Sequence, residues 1–68
     1  MDNKQRALYL LVYALNQTRA GKDVGLILLS EDGNTAHIFD ERGDIIKDVN
    51  VECDSALAAI IDVCKALM

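Results

Sequence analysis

A chain of 68 residues, 51% hydrophobic and 26% charged, has room for one domain with one core, and its composition is that of a globular rather than a disordered chain. Its net charge of −4 is unevenly spread: positions 1–30 carry +2 (Lys4, Arg6, Arg19 and Lys22 against Asp2 and Asp23), positions 31–54 carry −6, and the rest is neutral. The acidic middle argues against direct nucleic-acid binding, because affinity for a phosphate backbone comes from lysine and arginine.

The first predicted element is a helix from Lys4 to Ala20. Asp2 or Asn3 is placed to accept hydrogen bonds from the free amides of its first turn, and Gly21 to stop it in a left-handed conformation. Leu8, Leu11, Val12 and Leu15 fall at the i, i+3, i+4, i+7 spacing of a buried stripe, with Tyr9 and Tyr13 on a second stripe about 100° round. Val24 to Ser30 is aliphatic without polar alternation, which predicts a strand covered on both faces. Glu31-Asp32-Gly33-Asn34 is a turn signal leading into a second strand, Thr35 to Phe39, so the two form a hairpin. A further turn, Asp40 to Asp44, precedes a third strand with Ile45, Val49 and Val51 on one face and Ile46, Asp48 and Asn50 on the other. This strand reads as an edge, where Lys47 and Asp48 discourage further pairing. Asp54 or Ser55 caps a last helix to Leu67, with Leu57, Ile60, Ile61 and Cys64 as its core stripe and small Ala56, Ala59, Val63 and Ala66 on its other side. The expected fold is therefore α+β, a single domain over 1–68 with two helices on a three-stranded antiparallel meander in the order αβββα.

The longest apolar run, Ala7 to Leu15, lacks a small-residue cleavage site and is too short to span a bilayer. A cytoplasmic location and no membrane contact are expected. Cys53 and Cys64 are read as core sulfurs, since a helix starting just after Cys53 separates their Cα atoms beyond the roughly 7 Å a disulfide allows.

So short a chain buries only about 60% of its unfolded surface and often leans on oligomerisation. Two helices on one sheet face leave part of the apolar surface uncovered, and a monomer rarely exposes apolar patches beyond a few hundred Å². Tyr9, Tyr13, Ile27 and Leu29 are therefore assigned to a homodimer or ligand surface.

No residue is assigned to catalysis, to a cofactor or to a metal. His37 is the one histidine, and a general base needs a positioned partner and a pocket that the sequence does not display. Asp40, Asp44 and Asp48 match positions 1, 5 and 9 of a calcium loop, but Val51 stands where the bidentate glutamate belongs. No phosphate-binding glycine motif, catalytic triad or CxxC is present. What remains are the acidic turns, Glu31, Asp32, Asp40, Glu41 and Asp44, together with Asp48. They point to a non-enzymatic protein-binding or regulatory module, a homodimer presenting acidic loops to a basic partner. In helix-meander-helix order and charge the chain resembles small acidic phage-encoded inhibitors, including some anti-CRISPR proteins. A second reading, a sharper variant of the acidic-loop one, is a nucleic-acid mimic that occupies the basic groove of a DNA- or RNA-binding protein. A third is a small-molecule binder with a dimer cleft lined by Tyr9, Tyr13 and Phe39.

Overall fold

The computed structural model of the chain describes residues 3–52 and 55–68. Its elements are α1 (Asn3–Leu15), β1 (Val24–Leu29), β2 (Thr35–Asp40), β3 (Ile45–Asn50) and α2 (Ala56–Leu67). The strands form one antiparallel sheet in the order β1-β2-β3, so the αβββα meander expected from the sequence is the fold. Both helices lie over one face of the sheet, α1 against β1 and α2, and α2 more sparsely against β3.

The hairpins turn where the glycines permit it: Gly33 and Gly43 adopt φ of 74° and 91°, a region in which a Cβ is strained. Leu8, Val12 and Leu15 of α1 are buried, with Leu11 packed against them, which is the stripe the spacing predicts. The helix ends at Leu15, however, not Ala20. The Thr18 hydroxyl donates to the Leu15 carbonyl (2.7 Å) and accepts from the Gly21 amide (3.1 Å), closing a turn that competes with further helix. Gly21 is not left-handed. Its role is close approach, since a Cβ there would lie 2.6 Å from that of Leu15. Asp2, offered as an alternative cap for α1, lies outside the described residues, as do Cys53 and Asp54; Ser55 caps α2 by accepting from the Ala58 amide.

The largest departure concerns which side of α2 is buried. Ala59 and Val63 are fully enclosed, while Leu57 and Ile61, expected in the core stripe, are 67% and 44% exposed. The reason is volume. Leu8, Val12 and Leu15 already fill the space over the sheet, and close packing sets large side chains of one element against small ones of the next.

A side chain of α1 and that of the residue just after it also occupy the outer edge of β1. The Gln5 amide accepts from the Leu29 N–H (2.8 Å) and donates to the Ile27 carbonyl (2.9 Å), standing in for a neighbouring strand. Asn16 donates to the carbonyls of Gly21 and Val24. An edge covered in this way is a poor template for an added strand. Lys4 donates to the carbonyls of Gly33 and Val51, fastening the start of α1 to one end of the sheet.

Candidate binding surface

Strand register determines which residues share the face that the helices leave uncovered. Ile27 pairs with Ile38, and Ala36 lies between Leu29 and Val49; Ile27, Ala36, Ile38 and Val49 are all buried on the helix side. The alternate residues stand on the outer face in rows across the sheet. Leu26, Phe39 and Ile45 form one row, Leu28, His37 and Asp48 the next, and Thr35 pairs with Asn50 beyond them. Leu26 and Ile45 are exposed, and Leu28 and Phe39 half-buried. An irregularity in each ladder produces this arrangement. One falls between Val24 and Leu26 and the other opposite Ile38 and Phe39; each shifts the alternation by one residue and moves the side chains beyond it to the other face. Ile45 accordingly leaves the face of Val49 and Val51, where the sequence placed it.

The four residues assigned to a dimer or ligand surface divide on the same account. Ile27 has no exposed surface and Leu29 packs against the core, so neither belongs to that surface; Tyr13 is 73% exposed and Tyr9 half-buried. On β1 the uncovered residues are Leu26 and Leu28, one position away from the pair the sequence suggested. Tyr9 and Tyr13 line a groove of about 590 Å³ between α1 and β1, bordered by Arg6, Leu10, Leu26 and Glu41. Phe39 lines a separate hollow of about 330 Å³ on the far side of Gly25 and Leu26. The three aromatics therefore share no cleft within one chain.

The acidic residues do not gather into one surface. Glu31 and Asp32 lie in the β1–β2 turn, whereas Asp40 ends β2 and Glu41 and Asp44 follow in the β2–β3 turn at the other end of the sheet, a six-residue strand away, about 20 Å. Two of them serve their own turns. The Asp40 carboxylate accepts from the amides of Arg42 (2.8 Å) and Asp44 (3.0 Å). The Asp32 carboxylate accepts from the Ser30 hydroxyl and from the Asn34 amide. These bonds, the Ser30 hydroxyl foremost, hold the Asp32 carboxyl below the usual carboxylate range. A carboxyl depressed on folding stabilises the fold above its unfolded pKa of about 3.9, and the contribution fades as pH falls through the lower folded value. Asp32→Asn is thus expected to lower the melting temperature at neutral pH, by an offset that shrinks as the pH falls below about 3.9; an offset that does not shrink would show that the charge is not what matters.

Asp48 has a different role. Its carboxylate lies 2.7 Å from Nδ1 of His37 on the adjacent strand, a partnership between residues eleven apart that only the strand register creates. The His37 ring stands 6.5 Å from that of Phe39 at 54°. The pair thus stands between the apolar row of Leu26, Phe39 and Ile45 and the polar pair Thr35–Asn50, open to solvent on both side chains. Chemically it can donate and accept hydrogen bonds, and its carboxylate can pair with a cation. On the helix side of the sheet, a groove of about 380 Å³ lies where α1 ends against α2, lined by Leu11, Leu15, Cys64 and Met68 among others.

Among the described residues no group of three or more histidine, cysteine or acidic side chains is placed to hold a metal ion, and no helix is long and apolar enough to cross a membrane. No protein-family model matches the chain, and neither a curated protein nor a solved structure matches it.

Proposed function

We propose that the chain is a non-enzymatic protein-binding module whose outer sheet face receives an apolar segment of a basic partner. The observation that carries this reading is the row of Leu26, Phe39 and Ile45 on the sheet face opposite the two helices, with Leu26 and Ile45 exposed and Phe39 half-buried. Ile46, exposed beside Ile45, extends it. The radius of gyration is 10.6 Å, close to the roughly 11 Å of a compact chain of this length, so these side chains are exposed on a closed fold rather than an open one. Acidic turns stand at both ends of the face and Asp48 near its middle. A partner with an apolar centre and lysine or arginine on either side matches that layout, and complementary charge speeds its association. Because Gln5 and Asn16 occupy the β1 edge, the partner docks on the face rather than as an added strand at β1.

A titration followed by amide resonances tests the proposal. The probes are two synthetic peptides with the same central leucine and isoleucine run, one flanked by lysines and the other by glutamates. The lysine-flanked peptide is expected to shift the signals of Leu26, Leu28, His37, Phe39 and Ile45, and to bind more weakly as salt rises from about 50 to about 500 mM. Equal binding of both peptides, no binding of either, or shifts confined to α2 would overturn it.

A further inference from the structure

The groove between α1 and β1 is a second uncovered surface, and we infer that its occupant is the same groove of a second copy of this chain. A two-fold interface brings one patch against itself, so the patch must carry both halves of every contact it makes. This patch does so in shape and in charge. Tyr13 and Leu10, 73% and 62% exposed, project beside a groove of about 590 Å³, so each copy offers a projection to the hollow of the other. Arg6 and Glu41 border the same groove without pairing with each other inside one chain. A two-fold axis sets Arg6 of each copy opposite the acidic turn of its partner and forms two Arg6–Glu41 pairs across the interface.

The distribution of charge supports a second copy here rather than on the outer sheet face. Positions 1–30, which include α1, carry +2, whereas both ends of the sheet are acidic. Stacking two outer faces would oppose like charges, while stacking two α1–β1 grooves brings a cationic helix towards an anionic turn. The inference does not rest on the partner reading, because the two surfaces adjoin only along Gly25, Leu26 and Glu41.

Sedimentation velocity on the full chain and three variants tests it. The parent is expected to dimerise with a dissociation constant of tens of micromolar or tighter, on the order of 10⁻⁵ M. Arg6→Glu and Glu41→Arg, each alone, are expected to weaken the dimer by about tenfold or more, and the double variant to recover to within about threefold of the parent. Circular dichroism checks that all four fold. A parent that stays monomeric at about 200 µM, a double variant no tighter than either single one, or a mass that grows without limit as concentration rises would each overturn the inference. The peptide titration reads the other face, so either proposal can fail while the other stands.

Discussion

Ile27→Ala is expected to destabilise the chain by about 2–5 kcal/mol, the usual cost of removing a large aliphatic side chain from a closed core. Ile27 is fully buried between α1 and the sheet, in one cluster with Leu8, Val12, Ile38 and Val63. A domain of this size has only about 5 kcal/mol or somewhat more to lose, so at ambient temperature the variant should be largely unfolded, or close to it. Its neighbour provides the control. Leu26 stands on the outer face, and Leu26→Ala should cost about 1 kcal/mol or less. Urea denaturation of the two variants checks the contrast. If Leu26→Ala proves the more damaging, the bulge is misplaced and the two residues exchange faces.

The second large effect lies on α2. Ala59 is completely enclosed where the helices meet the sheet. Ala59→Leu adds three carbons to a space already filled by the leucines of α1, and overpacking of that kind costs about 1–3 kcal/mol. Leu57→Glu, on the exposed side of the same helix, should leave the melting temperature nearly unchanged and raise solubility. Had the bulkier stripe faced the core, the outcomes would be reversed, with a glutamate at position 57 abolishing folding and a leucine at position 59 tolerated. Thermal melts of the two variants distinguish the arrangements.

The contrast between these residues marks how far the sequence could be read. Element order was legible because its signals are local: the 3.6-residue spacing of Leu8, Val12 and Leu15, the glycines at the two hairpin turns, and the serine that caps α2. What was hidden depends on tertiary context. Alternation along a strand assigns faces only while the pairing stays regular, and the irregularities near Gly25 and Ile46 transfer Leu26 and Ile45 to the outer face. The end of α1 is set by a side-chain turn at Thr18 and a close approach at Gly21 that hydrophobic spacing does not report. On α2, both sides are apolar, and only the volume already occupied by α1 decides which is buried. Of the candidate site, Tyr9, Tyr13 and the acidic turns were visible. The His37–Asp48 pair was not, because it joins residues on adjacent strands through a register that no local pattern fixes.

Ile45→Glu tests the uncovered face most directly, when its melting temperature and its titration with the lysine-flanked peptide are measured on the same preparation. Ile45 is 59% exposed at the end of the outer row, so stability should stay within about 1 kcal/mol of the parent while peptide binding weakens by about tenfold or more. An unfolded variant would place Ile45 in the core. A folded variant that binds the peptide as well as the parent would move the partner to another surface.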